Sequence, residues 1–101
     1  MAKQAFGDII KGDTPVLVDF YADWCAPCRQ QTPILKQLTE RNGDKIKVLK
    51  VNVDQSQTAA QRYQVRNIPT MILFKKGKVV WRQSGVQSLQ ILEKLVQQYG
   101  A

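Results

Sequence analysis

Val16-Leu17-Val18-Asp19-Phe20-Tyr21, running on through Ala22-Asp23-Trp24-Cys25-Ala26-Pro27-Cys28, is the stretch that decides the fold. Its first six residues are apolar on both alternating faces except at Asp19, the pattern of a strand covered on both sides. Beyond Cys28 the period changes. Ile34, Leu35 and Leu38 recur at helical spacing, Pro27 suits a first helical turn, and Asn42-Gly43 closes the segment after about Arg41. Pro33 lies inside this helix and is expected to kink it.

Working outward, Phe6, Ile9 and Ile10 form the apolar stripe of a short helix over Ala5 to Lys11, stopped by Gly12-Asp13. Lys47 to Asp54 carries Val48, Leu49, Val51 and Val53 and reads as a second covered strand, followed by a helical segment around Thr58 to Tyr63. Met71 to Phe74 is a third strand, Lys76-Gly77 a turn, and Lys78 to Gln83 a fourth strand, so the last two are expected as an antiparallel hairpin. Ser88 caps a final helix with its stripe on Leu92, Leu95, Val96 and Tyr99. The first three strands alternate with helices and can lie parallel through right-handed crossovers. The expected fold is a three-layer α/β or α+β sandwich in a single domain spanning 1–101.

The chain has 101 residues, 44% of them hydrophobic and 23% charged, within the range of one globular domain. No run is apolar enough to span a membrane, and the N-terminus lacks the pattern of a secretory signal, so a cytoplasmic location and no membrane partner are expected. Fifteen Lys and Arg against eight Asp and Glu give a net charge of +7. The basic residues are scattered, with the densest group at Lys75, Lys76 and Lys78, and no aromatic residues interleave to form a stacking platform. Nucleic acid is therefore not an expected partner. A solvated face is the default reading of these charges, and a bias of encounter toward acidic proteins is the functional alternative.

With no His and two Cys, most metal sites and every histidine-assisted nucleophile drop out. Cys25 and Cys28 are too close together to staple a fold, because so short a loop constrains the unfolded chain little. They lie where a strand hands over to a helix. A thiol at a helix N-terminus meets unpaired N–H groups and the positive end of the macrodipole, which favour its thiolate. Cys25 is thus the candidate nucleophile, and Cys28, at helical i+3 distance, can resolve a mixed disulfide. Arg29 after the pair rules out a haem attachment motif, and the lack of a second ligand pair argues against zinc. Asp19 interrupts an apolar strand. It is either an edge residue facing water or a buried carboxylate with a raised pKa beneath the dithiol, able to take a proton from Cys28.

Val18 to Cys28, with Pro33-Ile34-Leu35, Val51-Asn52-Val53-Asp54, Ile68-Pro69-Thr70 and Gly85, resembles the thioredoxin family over nearly the whole chain. The resemblance implies a thioredoxin fold: a central mixed sheet of about four strands flanked by helices on both faces, with a C-terminal antiparallel hairpin and helix. It implies protein dithiol–disulfide exchange by Cys25 and Cys28. It selects the proton-accepting role for Asp19 and gives Lys50 the place of a lysine near that carboxylate. It implies a cis Pro69 facing the cysteines, with Ile68 offering backbone groups to an extended client segment. The client surface would comprise Trp24, Ala26, Pro27, Ile68, Pro69, Thr70 and Gly85, with Trp24 an apolar platform beside an exposed nucleophile. No cofactor is expected on the chain, which has no glycine-rich nucleotide loop. Electrons would come from a separate NADPH-dependent flavoprotein, thioredoxin reductase, and pass to disulfide-containing clients such as reductases and peroxidases.

The sequence departs from the family pattern in three places. Ala26 replaces a glycine; even if the whole helix-propensity difference of about 1 kcal/mol acted on one redox form, it would move the potential by only roughly 20 mV. Tyr21 stands where many relatives carry tryptophan and is expected in the core or the site wall. Few residues precede the first helix, so four strands rather than five are expected, and the chain is expected to be a monomer. An extracytoplasmic oxidant or isomerase of the same fold, and a non-catalytic binding module, are the competing readings.

Overall fold

The computed structural model describes residues 6–100; Ala5, where the first helix was expected to begin, lies outside them. The elements are α1 (Phe6–Ile9), β1 (Val16–Tyr21), α2 (Ala26–Asn42), a 3₁₀ turn (Gly43–Lys45), β2 (Lys47–Asn52), α3 (Gln57–Arg62), β3 (Thr70–Lys75), β4 (Lys78–Ser84) and α4 (Leu89–Tyr99). The four strands form one mixed sheet in the order β2-β1-β3-β4. α2 runs unbroken through Pro33. None of the described helices is long and apolar enough to cross a membrane.

β1 is central and pairs in parallel with β2, Asp19 standing opposite Lys50. Its alternating side chains divide the core in two. Leu17 joins Leu35 and Leu38 of α2, Met71 and Leu73 of β3, and Leu92, Leu95 and Val96 of α4 on one face. Val16, Val18 and Phe20 pack with Ile72 and Phe74 on the other, where Phe6 and Tyr63 add edge-on and tilted aromatic contacts from the side of α1 and α3. Asp19 belongs to the α2 face and has no exposed surface.

One expectation is corrected. β3 runs antiparallel to β1, not parallel, with Phe20 opposite Thr70 and Val16 opposite Phe74. α3 spans only about 9 Å, less than half of the roughly 20 Å of a six-residue strand, and does not carry the chain back along the sheet. The connection between Asn52 and Thr70 instead re-enters at the end where β2 left it. The start of β3 therefore lies beside the end of β1, which brings Ile68-Pro69 to Cys25.

Smaller differences have local causes. β2 stops at Asn52 because the Asn52 side-chain oxygen accepts the backbone N–H groups of Asp54 and Gln55, turning the chain. Among the described residues α1 ends at Ile9 rather than at the expected Lys11, and the carbonyls of Ile10 and Gly12 accept instead from Gly77 and Lys76. Those two residues form the expected hairpin turn, with φ of 80° at Gly77 and 53° at Lys76.

Candidate active site

The site sits at the end of the sheet where β1 ends and β3 begins. Cys25 is the N-cap of α2, with extended backbone angles, and its Sγ accepts the Cys28 backbone N–H at 3.2 Å. That contact and the helix terminus are what the thiolate reading requires. Pro27 lies in the first turn, where a missing N–H costs nothing. Cys25 and Cys28 are joined as a disulfide with their Cα atoms 5.3 Å apart. The Ile68 carbonyl oxygen lies 3.7 Å from Cys25 Sγ, a contact across 43 residues of sequence, and the Ile68–Pro69 peptide is cis.

The nucleophile is less open than expected: Cys25 is 4% exposed and Cys28 2%. Ala22, Tyr21, Val53 and Ile68 pack around them. Trp24 is 69% exposed, and its Nε1 donates to Asp54 Oδ2 at 2.9 Å, fixing the ring at the rim. Ala26, Pro27 and Gly85 are also exposed, and Ile68 is half-buried. Gly85 has φ of 86°, with open space where a side chain would begin. The positive φ accounts for the glycine, and its bare surface leaves room for an approaching chain. Pro69 is buried, and so is Thr70, whose hydroxyl is occupied by the Asn67 carbonyl and Ser84 Oγ. The Thr70 side chain therefore braces the loop from behind instead of lining the client surface.

Asp19 is the one side chain among the described residues whose buried polar atoms have no hydrogen-bond partner, at both oxygens. Burial pushes its pKa up from 3.8 to about 6, opposed by the positive charge of Lys50. Lys50 is exposed and does not pair directly with that carboxylate. Its Nζ donates to Thr32 Oγ1 at 2.9 Å and lies 4.5 Å from the centre of the Tyr21 ring. Tyr21, Cys28, Arg29, Thr32 and Lys50 line a cleft of about 180 Å³ beside the disulfide. Tyr21 thus forms part of the site wall. Arg29 ties the rim by donating from Nη1 to the Asp23 carbonyl at 2.8 Å.

Sequence reasoning brought Cys25, Cys28, Asp19, Lys50, Trp24, Ile68, Pro69 and Gly85 to one end of the sheet, and the structure places them there. It missed Asp54, Thr32, Gln31 and Gln87. Asp54 lay in a quoted motif with no role attached. Gln31 carried a readable signal, since it precedes Leu35 by four positions and so falls on the inward stripe of α2.

A nucleophilic cysteine capping a helix, a resolving cysteine one turn on, and a cis-proline carbonyl beside the first sulfur define a thiol–disulfide oxidoreductase. The thioredoxin family model matches residues 1–98. A thioredoxin from Alicyclobacillus acidocaldarius is 44% identical over 88 residues, covering 87% of this chain and 84% of that one. Among solved structures, a mutant thioredoxin from Halobacterium salinarum superposes with a TM-score of 0.85 at 38% identity, covering 94% of this chain and 82% of its own. Oxidised mitochondrial thioredoxin 3 from Saccharomyces cerevisiae gives 0.82 at 32% identity, covering 92% and 86%. The chain belongs to the thioredoxin family, and its activity is dithiol–disulfide exchange with protein disulfides.

The state of Asp19 is linked to stability. Between pH 3.8 and about 6 the folded chain keeps a proton that the unfolded chain has released, so stability falls as pH rises through that window and stays lower above it. Asp19→Asn removes the ionisation at nearly constant size. Urea unfolding of the oxidised protein should show it more stable than the parent at pH 8 by on the order of 3 kcal/mol, with a much smaller difference at pH 4. An equal shift at both pH values contradicts the raised proton affinity.

Proposed function

We propose that the chain is a general disulfide reductase of the cytoplasm. Cys25 thiolate attacks one sulfur of a client disulfide, forming a mixed disulfide and releasing the other client sulfur as thiolate. Cys28 then gives its proton to ionised Asp19 and attacks Cys25 Sγ, which closes the Cys25–Cys28 disulfide and frees the second client thiolate. A separate flavoprotein, thioredoxin reductase, returns two electrons from NADPH, so the chain needs no cofactor of its own. Clients are proteins that oxidise a dithiol in each cycle, such as reductases and peroxidases.

The observation that carries this reading is the position of Cys25 Sγ, 3.2 Å from the Cys28 N–H and 3.7 Å from the Ile68 carbonyl. A client strand laid along Ile68 brings its disulfide to the capped sulfur, while Trp24, Ala26, Pro27 and Gly85 offer apolar or bare surface around it. Ile68 contributes through its backbone, and Pro69 holds that backbone in place. Lys50, opposite Asp19 in the sheet, favours the ionised carboxylate that accepts the proton. The β2 edge carries the exposed charges of Lys47 and Lys50, which disfavour edge-to-edge association and support a monomer.

Two measurements test the reading. The equilibrium potential of the Cys25–Cys28 pair should fall near the roughly −270 mV that is the reference value for thioredoxins themselves, and a value of about −180 to −120 mV would make the chain an oxidant or isomerase. The second concerns the proton. A thiol of ordinary pKa near 8.5 is only about 3% ionised at pH 7, so a base that deprotonates Cys28 accelerates resolution by on the order of 30-fold there. Asp19→Asn should slow breakdown of a pre-formed mixed disulfide by up to that factor at pH 7 and by much less at pH 9. A pH-independent effect would remove Asp19 from the proton transfer.

A further inference from the structure

The inward stripe of α2 consists of Cys28, Gln31, Leu35 and Leu38. Three of these suit an apolar core, and Gln31 does not. It has no exposed surface, so its amide must find partners inside the protein or destabilise it. Both partners belong to one residue, 56 positions away. Gln31 Oε1 accepts the backbone N–H of Gln87 at 2.7 Å, and Gln31 Nε2 donates to the Gln87 carbonyl at 3.0 Å. Two reciprocal bonds fix both peptide groups of Gln87, as pairing between neighbouring antiparallel strands does.

From Gln87 the chain of bonds continues outward. Its own side chain, 9% exposed, turns back so that Nε2 donates to the carbonyls of Ser84 and Gly85 at 3.2 and 3.1 Å. The Gly85 N–H donates to the Pro69 carbonyl at 2.8 Å, and Ser84 Oγ meets Thr70 Oγ1 at 3.1 Å. A continuous path therefore runs from α2, one turn after Cys28, through Gln31 and Gln87 to Gly85 and on to Pro69. With the Ile68 carbonyl beside Cys25 Sγ, it ties together the three segments that carry the proposed client surface. Between Gly85 and Gln87, Val86 presents its side chain outward and is 38% exposed.

The geometry points to Gln31 as a positioning residue for client binding, one that holds the 84–87 loop in register with the nucleophile through the backbone of Gln87. This rests on the reductase reading above. Loop residues that lack such ties must be ordered when a client binds, and the cost of that ordering appears as weaker binding. Gln31 touches neither sulfur, so the chemical step does not depend on it. Its effect is confined to clients that contact the loop. A small disulfide that reaches Cys25 without touching Gly85 or Val86 gains nothing from the tie.

The test uses pre-reduced protein in single-turnover stopped flow, read by tryptophan fluorescence, with insulin as the protein disulfide and dithionitrobenzoate as the small one. Gln31→Met keeps the length of the side chain and removes its amide. Gln87→Ala leaves both Gln31 bonds to the backbone in place and removes the limb to Ser84 and Gly85 through which that tie reaches the loop, so it tests the outer half of the same path and keeps the proposal falsifiable if the first variant fails to fold. Each folded variant should need about tenfold more insulin for half-maximal rate, with the maximal rate nearly unchanged and the rate with the small disulfide within about twofold of the parent. An unchanged half-saturating concentration in Gln31→Met overturns the assignment whatever Gln87→Ala does, and so does an unchanged value in Gln87→Ala if Gln31→Met does not fold. So do equal losses with insulin and the small disulfide, the signature of general damage. Should the parent protein itself fail to reduce insulin, the reductase reading falls and takes this assignment with it.

Discussion

The antiparallel pairing of β3 with β1 governs the layout of the site. Phe20, near the end of β1, stands opposite Thr70 at the start of β3, so Ile68-Pro69 arrives at the end of the sheet where β1 hands over to Cys25. A parallel β3 would have started beside Val16 and placed Pro69 a strand's length from Cys25. The 3.7 Å contact between Cys25 Sγ and the Ile68 carbonyl, and with it the surface against which a client could align, follows from that one constraint.

Two polar residues sit on the inward side of the α2 layer, and they illustrate opposite solutions to burial. Asp19 has no hydrogen-bond partner and responds by holding its proton to about pH 6. An uncompensated carboxylate of that kind destabilises the folded chain at neutral pH, and such a cost is characteristic of groups that take part in proton transfer. Gln31 is fully paired, and it joins the nucleophile's helix to a loop distant in sequence. In the proposed mechanism one residue supplies reactivity, while the other supplies geometry. Lys50 lies between these roles, near enough to Asp19 to oppose its protonation, yet hydrogen-bonded to Thr32 and stacked over Tyr21.

What could be read from the sequence was what depends on neighbours along the chain. The doubly covered β1, the cap-and-turn signature at Cys25 to Cys28, the Lys76-Gly77 hairpin and the α4 stripe are all local patterns, and all are present. The parallel direction expected for β3 fails because alternation of strands and helices leaves open the end from which a seventeen-residue connection re-enters the sheet. Thr70 was assigned to the client surface through its motif, but its position at the start of a central strand turns its hydroxyl inward to Asn67 and Ser84. The links from Gln31 to Gln87, from Lys50 to Thr32 and from Trp24 to Asp54 join residues 56, 18 and 30 positions apart, and no periodicity reveals such pairs.

The central claim is that the capped sulfur of Cys25, and not Cys28, meets the client at the Ile68 edge. Trapping tests it most directly. Reduced Cys28→Ser protein mixed with a disulfide-containing protein should accumulate a mixed disulfide through Cys25, identifiable by mass spectrometry, whereas Cys25→Ser protein should trap little or none. Trapping by Cys25→Ser protein through Cys28, at a rate equal to or above that of its counterpart, would contradict the account.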